Sequence, residues 1–204
     1  MKKKIDCNWH RYVDLGLPSG LLWATCNIGA KEPWENGLYF SWGNGDGHEK
    51  DSWYYFCETD YGTTPGASLI DSIPVNAKYD AARANLGGSW RMPTAFEFKE
   101  LYNNCISEWT TQNGVNGMLF TSCINGNSVF FPAAGGYYGT VFIGNAASGA
   151  YWSSSLRPQS NAYCLYVGCG GVAPQSYSLR FIGYTVRAVL DHPKDSLLIR
   201  AIKR

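Results

Sequence analysis

Residues 86–98 read Leu86-Gly87-Gly88-Ser89-Trp90-Arg91-Met92-Pro93-Thr94-Ala95-Phe96-Glu97-Phe98, and they hold the end of one helix and the start of another. Gly87-Gly88 is a helix stop, because glycine takes the left-handed conformation that closes a last turn. It predicts a first helix from Asn76 to Leu86. Thr94 and Glu97 have the spacing of a capping box, in which the Thr hydroxyl and the Glu carboxylate satisfy free amides of the first turn. Behind it Ala95, Phe98, Leu101, Tyr102 and Cys105 recur at helical spacing, with Glu97, Lys99 and Glu100 outside.

Outward from these helices the pattern is that of strands. On the N-terminal side, Tyr12 to Thr25 reads as strand, tight turn at Pro18-Ser19-Gly20, strand. A loop with Pro33, Gly37, Gly43, Gly45 and Gly47 follows. On the C-terminal side, Met118 to Ile124 and Ser128 to Phe131 flank Asn125-Gly126-Asn127, a hairpin signal since both central residues tolerate positive φ. Tyr151 to Ser155, Ala162 to Val167 and Thr185 to Val189 are further strand candidates. Two helices among short strands and long loops predict an α+β fold.

Composition supports this. The 204 residues are 45% hydrophobic, 15% aromatic and only 16% charged, with 23 Gly, 14 Tyr and 8 Trp. That excludes a disordered chain, which lacks the apolar surface to offset chain entropy, and a coiled coil, which is rich in Ala, Glu, Lys and Leu. A net charge of +1 argues against a nucleic-acid binder, which needs a basic face. Between Glu108 and Asp191 there is no Asp, Glu or Lys, and only Arg157, Arg180 and Arg187 carry charge. The C-terminal part is therefore a neutral, polar-aromatic block, readable as sheet core or as contact surface.

Motifs for catalysis and metals are absent. There is no phosphate loop, nucleophile elbow or HExxH sequence. His10, His48 and His192 stand singly, and Asp46 sits in a Gly-rich turn without the ligand series of a calcium loop. Asp51, Glu58 and Asp60 have no feature that fixes their separation. Neither metal nor cofactor is expected. The seven cysteines form no C-x-x-C pair and read as free thiols acting as small apolar residues. Met1-Lys2-Lys3-Lys4 resembles a signal n-region, but Ile5 to His10 adds no apolar stretch, so no signal peptide is expected. No run of 18 apolar residues predicts a membrane span. Residues 1–190 are expected to form a single domain. Residues 191–204 are expected to form a short basic tail, helical from Ser196, that docks on the domain or leads to a neighbouring module or oligomer.

Several blocks carry a family resemblance: Tyr12–Gly29 (YVDLGLPSGLLWATCNIG), Tyr79–Ala82, Leu86–Thr94, Trp109–Val115, Phe131–Gly135, Tyr151–Ser155 and Gly183–Val189. Together they resemble C-type-lectin-fold proteins of the formylglycine-generating-enzyme type, encoded by gut bacteria and phages. Arg91-Met92-Pro93-Thr94-Ala95-Phe96-Glu97-Phe98 is similar to the Arg-Leu-Pro-Thr-Glu-Ala-Glu-Trp helix start of that superfamily. The catalytic members hold copper with a cysteine pair that has no counterpart here, so the resemblance implies the fold and not the activity. Calcium-binding lectins carry Glu-Pro-Asn and Trp-Asn-Asp; Glu32-Pro33-Trp34 departs from the first and the second is missing.

Within that fold the chain looks like a variable protein of a diversity-generating retroelement. In that family adenines of a template copy are mutated and the product rewrites a C-terminal stretch of the gene, turning AAC codons into NNC. From Asn161 to Val186 only Gln175 lies outside the residues NNC encodes. The resemblance implies a variable ligand-binding region at about 150–189, displaying Arg157, Gln159, Asn161, Cys164, Tyr166, Gly168, Cys169, Gly170, Ser176, Ser178, Phe181, Ile182 and Tyr184. Trp90, Trp152, Phe131 and Val186 are expected to be fixed core. The implied partner is a macromolecule, a cell-surface protein or glycan, met from a phage particle or a bacterial surface, with no nucleic acid and no membrane insertion. A fixed lectin-fold module of a larger assembly and a degenerate enzyme are the alternatives.

Overall fold

The computed structural model describes residues 4–5, 11–49, 79–144, 146–157 and 160–191. In chain order the described elements begin with β1 (Lys4–Ile5), β2 (Arg11–Asp14), β3 (Leu22–Ala24), α1 (Ala81–Leu86), β4 (Trp90–Arg91) and α2 (Ala95–Asn104). They continue with β5 (Cys105–Gln112), β6 (Val115–Ser122), β7 (Ser128–Pro132), β8 (Gly136–Tyr138), β9 (Val141–Ile143), β10 (Ser148–Leu156), β11 (Asn161–Gly168), β12 (Gly171–Leu179) and β13 (Val189–Leu190). Among the described residues, two helices and several short antiparallel sheets make the fold α+β and mostly strand.

Both ends of the described chain meet in one sheet, ordered β1-β2-β3-β13-β4. Val189 pairs with Trp23 on one side and with Arg91 on the other. The other sheets are β5-β6-β7, β8-β9 and β10-β11-β12.

The second helix starts as read. Glu97 N–H donates to Thr94 Oγ1 and Thr94 N–H to Glu97 Oε2, so both halves of the capping box form. The Glu97 carboxylate also takes a fork from Arg91, whose guanidinium reaches Asp191 on its other side. Ala95, Phe98 and Leu101 are buried as expected, but Tyr102 is exposed and Cys105 opens β5 rather than closing the helix. The first helix is shorter than read. Asp80 is its N-cap, accepting from Ala82 N–H and Arg83 N–H, so the helix begins at Ala81 and not at Asn76. Residues 76–78, and the tail 192–204 with its expected helix, lie outside the described residues.

The two large core clusters lie on either side of the β10-β11-β12 sheet, and a small third one joins Tyr39, Tyr137 and Phe142. Strand alternation sends Tyr151, Leu165 and Val167 to one side, against Trp23, Phe98 and Phe131. It sends Ala150, Trp152, Ala162 and Cys164 to the other, against Phe40, Trp42, Trp90, Phe181 and Ile182. Trp90, Trp152, Phe131 and Val186 are all buried, as expected of fixed core.

The strand reading needs correction at several places, among them β5, which continues directly from α2 and was not read as a strand. Residues 183–185 make only single bridges to Tyr137, Phe40 and Tyr151, so the regular strand there is Val189–Leu190 and not Thr185 to Val189. The small β8-β9 hairpin was not foreseen. Finally, the run Gly168-Cys169-Gly170-Gly171, odd for a strand, is the turn between two long strands, and β12 follows it. Gly171 stands at φ +129, where a side chain would be strained, which is why glycine closes this turn.

Candidate ligand-binding face

Thirteen residues were expected to share one display face, and the structure divides them. Regular pairing of β10 with β11 places Tyr166 and Cys164 on the same side as Ala150 and Trp152. On β12, Ser176 opposes Cys164 and Ser178 opposes Ala162, so both serines share that side. Tyr184 joins them from the following segment. Its hydroxyl lies 3.3 Å from Ser178 Oγ and its ring 4.9 Å from that of Trp152. Burial raises the Tyr184 phenol above its usual pKa, so the ring presents a neutral hydroxyl. Cys169 and Gly170 are exposed at the β11–β12 turn beside this side. A Cβ added at Gly170 meets nothing within 4 Å, so the turn has room for a side chain there.

Four of the thirteen are not available to a ligand. Cys164, Phe181 and Ile182 are 3%, 4% and 4% exposed and belong to the core cluster, and Gly168 is buried. Compatibility with NNC codons does not separate core from surface, since the set includes Phe, Ile and Cys. Two others sit on the opposite side of the sheet. Asn161 pairs with Leu179, and the Arg157 guanidinium lies 3.4 Å over the Tyr177 ring, a cation–π contact. Gln159 lies outside the described residues.

Sequence reasoning passed over Tyr177 and Leu179, both exposed on that opposite side. The alternation Gln175, Tyr177, Leu179 against Ser176 and Ser178 was the available signal, but it needed β12 to be recognised as a strand. Tyr138, Val141 and Ile143, exposed on the β8-β9 hairpin, were missed as well.

The rigidity of the face comes from beneath. Trp152 is fully buried and donates through Nε1 to Phe40 O at 2.8 Å, while Trp42 donates to Ser153 O at 2.8 Å. These bonds tie β10 to the loop carrying Phe40 and Trp42, and that loop pairs with Tyr184 through Phe40. Each indole combines a large apolar area with a satisfied N–H, so it fixes position as well as filling space.

No group of three His, Cys, Asp or Glu side chains is placed to hold a metal ion among the described residues. Asp46 N–H donates to Asn44 Oδ1, the local geometry of a Gly-rich turn. His10, His192, Asp51, Glu58 and Asp60 lie outside the described residues. No helix among those residues is long and apolar enough to cross a membrane.

The cysteines differ in chemistry. Burial pushes the Cys164 thiol up to about 12 and the Cys105 thiol up to about 11, whereas Cys123 and Cys169 are exposed. The thiolate is the nucleophile, so the buried pair is unreactive at neutral pH. Iodoacetamide at pH 8 is expected to label Cys123 and Cys169 in the native protein and to spare Cys105 and Cys164. Peptide-resolved mass spectrometry before and after denaturation checks this, and early labelling of Cys164 would contradict its place in the core.

Comparisons with protein-family models, with curated proteins and with solved structures found no match.

Proposed function

We propose that this chain is a non-catalytic binding module of C-type-lectin-like fold that presents a diversifiable patch to a macromolecular ligand. The patch consists of Tyr166, Cys169, Gly170, Ser176, Ser178 and Tyr184. The observation that carries this reading is a neutral, Tyr- and Ser-rich surface set directly on a fully buried Trp152. Tyrosine supplies contact area at low conformational cost and serine adapts its hydrogen bonds. The absence of Asp, Glu and Lys between Glu108 and Asp191 spares the complex the cost of desolvating those ions. A framework that does not depend on the displayed side chains is what rewriting of codons requires, since a variant that unfolds displays nothing.

The test is a library randomised at those six positions, measured by urea denaturation. Members that keep Tyr184 are expected to lie within about 1 kcal/mol of the parent, as surface substitutions do, while those that lose the half-buried Tyr184 ring from Trp152 fall further. If most members unfold as readily as a large core truncation, the patch is structural and the reading fails. Diversification itself predicts a reverse-transcriptase gene near this one and an adenine-altered near-copy of the codons for Tyr151 to Val189. Their absence from the adjoining DNA would leave a fixed binding module.

A further inference from the structure

The strand β5 is the edge of its sheet, pairing with β6 on one side only. The bonds around it show which of its backbone groups point outward. Cys123 N–H donates to Asn104 O, while Ser122 N–H and Asn116 O bond on the far side, with Asn127 O and Ala133 N–H. Antiparallel pairing alternates, so Ile106, Glu108, Thr110 and Gln112 bond to β6, and Ser107, Trp109 and Thr111 send their N–H and C=O groups away from it. Ser107 and Thr111 are exposed.

The other long edges are closed. On β7, Phe130 O is taken by Arg187 and Pro132 has no N–H to offer. On β10, Gly149 and Tyr151 are bridged by Gly135 and Thr185. On β12, Pro174 and a shift of register interrupt the strand. By contrast β5, Cys-Ile-Ser-Glu-Trp-Thr-Thr-Gln, has no Pro, Gly or Lys, and its pairing with β6 runs without a shift. Such an edge is a template for another extended backbone, the one group whose donors and acceptors recur at the same spacing.

We propose that β5 pairs antiparallel with β5 of a second copy of this chain, about a two-fold axis at Trp109, joining two three-stranded sheets into one. The strand is its own complement in this register. Ser107 stands opposite Thr111, Trp109 opposite Trp109, and Glu108 opposite Thr110 of the other copy. Hydroxyl pairs and aromatic pairs directly across a ladder are stabilising. Centring on Glu108 would set two carboxylates against each other, and centring on Ser107 would bring a second copy's Thr111 against Asn103 in α2. Each copy has one such edge, so the pairing closes at two. The inference does not rest on the binding function proposed above.

Sedimentation of the full chain over a range of concentrations is expected to show a dimer. Ser107→Lys/Thr111→Lys sets two pairs of like charges across the axis and should raise the dimer dissociation constant at least about tenfold at unchanged melting temperature. Ser107→Glu/Thr111→Glu should do the same, and mixing the two variants should restore a dimer. If the charged variants do not fold, Ser107→Pro replaces them, since it removes only an outward N–H. Residue-resolved amide exchange gives a second readout. Ser107, Trp109 and Thr111 should exchange slowly in the dimer and fast in the Lys variant, with Glu108 and Thr110 slow in both. A parent that stays monomeric overturns the inference, whether its β5 edge is then free, filled by an extended segment of a different protein, or protected by this chain's own residues. A parent dimer that the charged variants leave intact overturns it too, because another surface then joins the copies.

Discussion

Arg187→Met is expected to destabilise the protein by about 3–5 kcal/mol, because it takes the donor from three buried acceptors at about 1–3 kcal/mol each, less the relief of no longer burying a charge. Arg187 is 0% exposed and its guanidinium serves three acceptors. Nε donates to Asn27 Oδ1 at 2.9 Å, Nη1 to Ala24 O at 3.1 Å and Nη2 to Phe130 O at 2.9 Å, while the group lies 4.7 Å over the Phe131 ring. Burial lowers its pKa from the ordinary arginine value, with the Tyr151 phenol and the Cys26 thiol acting in the opposite direction.

Methionine would fill much of the same volume and relieve the desolvation of a charge. It would also leave three buried acceptors without this donor, each at about 1–3 kcal/mol, and that loss outweighs the relief. Replacing a buried ion pair by apolar residues can be neutral because both charges disappear together. Here the partners are two backbone carbonyls and an Asn side chain, so a change at Arg187 leaves them in place. Arg187→Lys is expected to recover only part, since one ammonium cannot span acceptors on β3, on the Asn27 turn and on β7. Urea denaturation followed by Trp fluorescence measures all three proteins. An Arg187→Met midpoint equivalent to a change under about 1 kcal/mol would show that the guanidinium does not hold these segments together.

Trp152→Ala is expected to cost about 3–5 kcal/mol through the cavity it opens. For a chain of this size that corresponds to a fall in Tm of roughly 6–20 °C. Phe40 O loses the indole N–H but keeps the backbone N–H of Tyr184 at 3.0 Å, so an orphaned carbonyl adds little to the cavity cost. The sharper consequence is at the surface. Tyr184 packs on the Trp152 ring, so the variant should weaken ligand binding beyond what unfolding explains, even at temperatures where it is folded. Tyr166→Ala, at an exposed residue, is expected to leave Tm within a degree or two while altering binding. Equal melting temperatures for the two variants would mean that Trp152 is not the support of this face.

Local signals were legible where a local cause determines the structure. The capping box at Thr94 and the glycine stop after Leu86 act within four residues of chain and stand where the sequence placed them, whereas the Asn125-Gly126 hairpin forms through a longer turn than read, since β6 ends at Ser122 and not Ile124 and of the two residues Gly126 alone has positive φ. The same signal stood at Asn113-Gly114 and was passed over. Both residues have positive φ, and Gln112 pairs with Val115 across a two-residue turn, so β5 could have been read from it. For β12 the signal was weaker, because its alternation is of exposed against half-buried residues and not of polar against apolar. Such a strand at a sheet edge does not show a clean period of two.

The sequence by itself determined the α+β class, the stop of the first helix and the start of the second, the first hairpin and the identity of the large aromatic core residues. It also determined the neutrality of the C-terminal block, because composition and short-range chemistry are complete in the chain before it folds. Only the tertiary structure decided which residues of that block are surface. Phe181 and Ile182 lie in the turn and bend after β12 that bring Tyr184 over Trp152, and nothing within a few residues of them says so. The patch joins β11, β12 and the Tyr184 segment, and the β8-β9 hairpin lies beside it through long-range contacts such as Gly136 with Tyr184 and Tyr138 with Phe181. Whether a side chain in such a stretch faces water depends on what packs against it from elsewhere, and that partner is chosen by the fold as a whole.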